Sequence, residues 1–116
     1  MNKQEVIQYG LSLPNTYEDQ PFPDDYTSVV LKHCGTGKWF ALIMEVHGKW
    51  YLNVKTDPLE SEMLRKAYSY IIPAYHMNKE HWNTIILGDD IDEKIVCELV
   101  QESYELTLPR KGRKKI

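Results

Sequence analysis

Residues 38–55, KWFALIMEVHGKWYLNVK, read as two strands hinged at Gly48: KWFALIMEV (38–46) and KWYLNVK (49–55). Both are rich in β-branched, aromatic and long apolar side chains, and a loop this short forces its strands antiparallel. TSVVLKHC (27–34) precedes them through Gly35 and Gly37, so the centre of the chain is a three-strand meander. Successive strand side chains point to opposite faces, which sorts them. Trp50, Leu52 and Val54 go to one face, against helices. Lys49, Tyr51, Asn53 and Lys55 go to the other, which is too polar for a helix to cover and is expected to be wet. Residues 38–46 are apolar on both sides, with Phe40, Leu42, Met44 and Val46 against Trp39, Ala41 and Ile43. That marks a central strand.

Outward from the meander the pattern turns helical. A first helix is expected from Asn2 to Leu13, with Asn2 as cap and Glu5 as its capping-box partner. PNTYEDQPFPDD (14–25) holds three prolines and reads as a loop. TDPLESEMLRKAY reads as a second helix, with Asp57 at the cap, Pro58 at the first helical position and a buried stripe of Leu59, Met63, Leu64 and Ala67. WNTIIL (82–87) is a fourth strand ended by Gly88. A last helix is expected from Ile91 to Leu106, capped by Asp90. The order α-β-β-β-α-β-α defines an α+β fold of two layers, an antiparallel sheet of about four to five strands with helices on one side.

The chain has 116 residues, 42% of them hydrophobic and 27% charged. This suits one soluble domain, residues 1–109, with one core. No apolar run approaches the ~18 residues of a membrane span. The start shows no signal-peptide pattern, so a cytoplasmic protein and no membrane partner are expected. Cys34 and Cys97 are far apart and suggest reduced thiols. Residues 110–116, RKGRKKI, hold five of the fourteen basic residues and are expected to be a solvated, disordered tail. The other nine basic residues face seventeen acidic ones, so residues 1–109 carry a net charge of −8. An acidic body argues against strong binding of nucleic acid.

PAYHMNKEHWNTIIL (73–87) is the densest polar and aromatic stretch. On a helix His76 and His81 would lie about 140° apart, whereas helical zinc pairs use a spacing of three or four. No metal or cofactor site is expected there. Nucleophilic catalysis is no better served. His33 and Cys34 are strand neighbours pointing to opposite faces, and no glycine pattern of a nucleotide-binding loop or nucleophile elbow occurs. Asn78 can instead cap a short helical turn, KEHW, that feeds Trp82 into the strand. The histidines and Asn83 then satisfy exposed backbone groups, and Trp82 is expected to be largely buried between sheet and helix.

YHMNKEHWNTIIL, with KWFALI, NVKTDP, LRKAY and SYEL, resembles the MmcQ/YjbR family of small bacterial proteins. The run Tyr75-His76-Met77-Asn78-Lys79 followed by His81-Trp82-Asn83-Thr84 is highly specific. One departure is Ala74, where the family usually has glycine. The resemblance implies a two-layer fold similar to that of CyaY and a DNA-binding or regulatory role. It implies no enzymatic activity and no cofactor.

The resemblance and the residues together leave two functional expectations. One is weak DNA binding. The other is a protein- or small-anion-binding module sited in residues 75–83, where histidine, asparagine, lysine and tryptophan cluster. The candidate contacts are Lys49, Tyr51, Lys55, Arg65, Tyr75, His76, Asn78, Lys79, His81 and Asn83, with Arg110, Lys111 and Arg113 of the tail. A monomer without enzymatic activity is expected.

Overall fold

A computed structural model of the chain describes residues 1–75 and 77–109. The elements in chain order are α1 (Lys3–Leu11), β1 (Thr16–Asp19), β2 (Val29–His33), β3 (Trp39–Val46), β4 (Lys49–Lys55), α2 (Pro58–Ala67), β5 (Ile71–Pro73), β6 (Trp82–Ile86) and α3 (Glu93–Leu106). One antiparallel sheet runs in the order β1-β2-β3-β4-β6-β5. The two-layer α+β architecture is as expected, but the sheet has six strands.

Both extra strands are edges. β1 falls inside the proline-rich segment expected to be a loop, where Thr16 to Asp19 pair with His33 to Val30. β5 is a three-residue strand that pairs with β6 alone. Short edge strands carry little periodicity of their own, and pairing with a longer neighbour defines them.

The β3–β4 hairpin turns on His47 and Gly48, at φ 50° and 80°. Two successive positive φ values give the primed turn whose twist matches that of the strands. α1 begins at Asn2, whose side chain accepts from the Glu5 backbone while the Glu5 carboxylate accepts from the Asn2 backbone. Asp57 caps α2, and its Oδ1 accepts from the Leu59 backbone over 2.9 Å. α3 starts later than expected: Asp92, not Asp90, is its cap, with Oδ1 2.9 Å from the Lys94 backbone nitrogen.

The core lies between the sheet and the helices. Leu31, Phe40, Ala41, Ile43, Leu52, Val54 and Ile85 meet Val6 and Ile7 of α1 and Val96, Leu99 and Val100 of α3. Gly10 of α1 lies so close to Leu31 that a Cβ there would run into its Cδ1. Ser103 of α3 ties the layers together, donating to the Phe40 carbonyl over 2.6 Å and accepting from the Lys55 backbone over 2.8 Å. His33 is buried among Phe40 and Tyr104, and its Nε2 lies 2.7 Å from the Thr107 hydroxyl.

A β-bulge decides which β3 residues join this core. Leu31 pairs with Ala41 and Lys32 with Trp39, leaving Phe40 as the extra residue. Phe40 and Ala41 therefore both serve the helix side, and Trp39 joins Leu42 and Met44 on the other. Strict alternation groups Phe40 with Leu42 and Met44, and a bulge cannot be seen in an alternation pattern.

α2 also departs from expectation. Leu59 is 85% and Met63 70% exposed, Ala67 is exposed, and Ser61 is the buried residue of the helix. No described helix is long and apolar enough to cross a membrane.

Candidate functional site

The sheet face away from the helices is not the uniformly wet surface expected. One row of paired residues crosses it: Val30, Leu42, Asn53 and Thr84. All four are buried. The polar pair survives burial because it is bonded. Thr84 donates to Asn53 Oδ1 over 2.5 Å, Asn53 Nδ2 donates to the Leu42 carbonyl over 3.3 Å, and the Tyr75 backbone donates to Thr84 Oγ1 over 2.9 Å.

Two irregular segments wall this face. The first, residues 20–28, is organised by Asp25, whose carboxylate accepts from the backbones and hydroxyls of Thr27 and Ser28. The Ser28 and Thr27 hydroxyls hold that carboxyl far below the usual carboxylate range. The second wall leads from buried Ala74 through Tyr75 and Met77 to the turn before β6. Tyr75 packs edge-on against Tyr51 at 5.7 Å between ring centres.

Beside these walls lie two adjoining cavities, the second reaching the end of the sheet where α3 stops. One, of about 470 Å³, is lined by Phe22, Asp25, Trp39, Leu42, Met44 and Met77. The other, of about 360 Å³, is lined by Lys38, Trp39, Lys55, Met77, Trp82, Leu106 and Thr107. They share Trp39 and Met77, so together they form one trough with a mainly apolar end that also carries the Asp25 carboxylate and an end bearing two lysines. Trp39 and Trp82 are half-buried there. Trp82 faces this trough opposite Lys55, which corrects the expectation that it packs between sheet and helix.

Most of the polar residues of 75–83 are occupied within the fold. Asn78 Oδ1 accepts from the Glu80 and His81 backbones at 2.8 and 3.3 Å. Lys79 Nζ donates to the Ala74 carbonyl over 2.9 Å. Arg65 Nε donates to Asn83 Oδ1 over 2.9 Å and its Nη2 to the Lys79 carbonyl over 3.1 Å. Asn83 Nδ2 continues the chain to Thr56 Oγ1, 3.2 Å away, which meets Ser61 Oγ at 2.7 Å. Asn83 is 1% exposed. These bonds tie α2, β4 and β6 to the turn, and they place Arg65 and Asn83 in the scaffold rather than on a binding surface.

The remaining candidates scatter. Lys55 lies in the trough, and Tyr51 beside its wall. His81 is exposed, and its carbonyl accepts from the Thr56 backbone over 2.8 Å. Lys49 is exposed at the other end of β4, six residues or roughly 20 Å from Lys55. His76, Arg110, Lys111 and Arg113 lie outside the described residues. Among the described residues, no group of three His, Cys, Asp or Glu side chains could hold a metal ion. Lys38, Trp39, Met77, Phe22 and Met44 are trough residues that the sequence pattern does not mark as contacts. The bulge and the two walls that gather them are long-range features.

The comparisons fit this architecture. The YjbR family model matches residues 11–106, and the chain belongs to that family. YyaQ of Bacillus subtilis is 36% identical over 110 residues, covering 86% of this chain and 88% of the relative. YjbR of Escherichia coli K12 is 30% identical over 117 residues, covering 98% and 96%. A crystal structure of a protein from Pseudomonas syringae matches with a TM-score of 0.84 at 33% identity, over 93% of this chain and 100% of that one. Protein DR2400 of Deinococcus radiodurans matches with a TM-score of 0.82 at 29% identity, over 96% and 81%.

Proposed function

We propose that the chain is a cytoplasmic, monomeric, non-enzymatic binding module whose ligand lies in the trough on the open sheet face. The ligand class that suits the trough best is a short stretch of single-stranded nucleic acid. One observation carries this reading: Trp39 and Trp82 line the same cavity as Lys38 and Lys55. Partly exposed indoles are surfaces on which bases stack, at about 1–3 kcal/mol per base, and adjacent ammonium groups neutralise the phosphates between them. The 470 Å³ end, mainly apolar but for Asp25, accepts a further base or another flat apolar group.

Duplex DNA is the weaker partner. A rigid duplex needs a broad basic surface, and the basic groups of the fold are dispersed. Lys32 is paired with Asp19 at 2.7 Å, and Arg65 and Lys79 donate to partners within the fold. A small-anion site confined to residues 75–83 is less well supported, because Asn78 Oδ1, Lys79 Nζ and both polar atoms of Asn83 already bond within the fold.

The test is a titration of the full chain with a single-stranded oligothymidine of about ten nucleotides at low salt, monitored by tryptophan fluorescence. Quenching is expected, with affinity at least about tenfold weaker in Trp39→Leu, for the loss of one stacked base. A duplex of the same length is expected to bind less well than the single strand. Absence of binding, or binding unchanged by Trp39→Leu, removes the proposal.

A further inference from the structure

On the helix side, α2 and α3 leave an unfilled groove. α2 packs on β5 while α3 packs on α1, β3 and β4. The groove, of about 350 Å³, is lined by Glu60, Met63, Leu64 and Ala67 of α2 and by Glu98, Leu99 and Glu102 of α3. The α2 residues recur at positions i, i+3, i+4 and i+7, the spacing of one helix face. Leu59, one residue before Glu60 and one turn before Met63, borders that face without lining the groove. An amphipathic helix ordinarily buries such a stripe, yet Leu59 and Met63 are 85% and 70% exposed.

Three glutamates line the groove, and among its lining residues there is no basic side chain. Glu102 Oε1 is buried without a hydrogen-bond partner, while the carboxyl group otherwise bonds to the Asp57 backbone and to Glu60. Burial first, and the neighbouring Glu60 carboxylate next, push the Glu102 carboxyl above its usual range. A buried carboxylate oxygen and an exposed apolar stripe are both relieved by one kind of occupant, a cationic segment that also carries apolar side chains.

We infer that the α2–α3 groove is a docking surface for a basic amphipathic helix of another protein. Its apolar side chains cover Leu59, Met63 and Leu64, while its lysines or arginines meet Glu60, Glu98 and Glu102. The surface is separate from the open-face trough, so neither reading depends on the other.

The probe is a synthetic helix of about 18 residues with leucine and lysine at a period of 3.6, titrated into the full chain by fluorescence anisotropy. Two control peptides are the same helix with glutamate for lysine and a scrambled version lacking an apolar face. Binding is expected for the first peptide alone. It should weaken at least about tenfold in Leu59→Ser/Met63→Ser and in Glu60→Gln/Glu98→Gln, whose altered side chains are exposed and leave the thermal midpoint nearly unchanged. Absence of binding, equal binding by the scrambled peptide, or equal affinity in these variants overturns the inference. Sedimentation of the unliganded chain addresses a second copy: self-association abolished by Leu59→Ser/Met63→Ser would assign the groove to a homodimer instead. Neutralising Arg110, Lys111, Arg113, Lys114 and Lys115 to glutamine addresses the chain's own basic end. A tenfold gain in probe affinity on that change would make the chain's own end the occupant and overturn the partner assignment.

Discussion

Arg65 Nε lies 2.9 Å from Asn83 Oδ1, so the guanidinium of α2 holds a buried amide of β6 across the edge of the core. This bond turns two residues that look like ligand contacts into supports. Asn83→Ala deprives both Arg65 and Thr56 of a partner, and a stability loss of about 2–3 kcal/mol is expected, because groups left unpaired in a buried site carry their full desolvation penalty. Urea midpoints of Asn83→Ala, Arg65→Met and the double variant check it. The double variant should lose clearly less than the two single losses added together, as for groups in one network. Strict additivity would show that the bond is not formed in solution.

Gly10 is required by packing rather than by backbone freedom. Alanine at an interior helical position normally gains about 1 kcal/mol over glycine. Here the added methyl group meets Leu31, which is fully buried, with Phe40 next nearest at 3.6 Å. Gly10→Ala is therefore expected to destabilise by about 1–2 kcal/mol net, since overpacking outweighs propensity. Leu31→Ala made in the Gly10→Ala background should destabilise less than it does in the wild type. Thermal or urea unfolding of the four proteins reads both effects, and a Gly10→Ala variant more stable than the wild type would refute the close packing.

His33 gives the domain a pH dependence with a definite sign. Its burial lowers the imidazole below its ordinary 6.5, more strongly than the Tyr104 carbonyl raises it. The unfolded chain therefore takes up this proton at a higher pH than the folded chain does. The His33 contribution is complete above the unfolded value and declines as pH falls from about 7 towards the lowered folded value. Comparing stability against pH for the wild type and His33→Leu isolates it from the other histidines. The wild-type curve should fall more steeply on acidification, and parallel curves would contradict a buried, neutral His33.

Local signals made much of this fold legible. Asn2 with Glu5 and Asp57 with Pro58 marked two helix starts, and the periodicity of residues 38–55 marked the central hairpin. Hidden were features set by distant neighbours. β1 exists because Tyr17 and Glu18 find Lys32 and Leu31 across the sheet. At the bulge, Phe40 packs against the distant rings of His33 and Tyr104. That same bulge turns Trp39 to the open face, so the trough could not be read from alternation. In residues 75–83 composition misled: side chains that resemble ligand donors mostly close the turn on itself.

Trp82, placed in the trough wall rather than the core, carries a smaller share of the stability. A tryptophan packed wholly in the core would destabilise by about 3–5 kcal/mol on truncation to alanine. Half-buried as it is, Trp82 should lose only about 1–2 kcal/mol, in proportion to the apolar area it covers. The same variant is expected to weaken oligothymidine binding at least about tenfold. Urea midpoints and fluorescence titrations of one protein preparation give both numbers. A large stability loss with unchanged binding would return Trp82 to the core.

The salt dependence of binding separates the fold from its basic end. Each phosphate neutralised on a single strand contributes about −0.7 to the slope of log affinity against log salt. Lys38 and Lys55 in the trough should then supply about −1.4, and the five basic residues of 110–116 at most about −3.5 more. Lys38→Gln/Lys55→Gln is expected to flatten the slope by about 1.4 and to abolish the preference for single strand over duplex, because these two charges sit beside the stacking indoles. Neutralising residues 110–115 is expected to lower affinity for both forms alike and to keep the preference. Anisotropy titrations at several salt concentrations, on both labelled DNAs, measure slope and preference together. If the preference tracks the basic end while the trough lysines have no effect, the nucleic acid does not lie on the open face of the sheet.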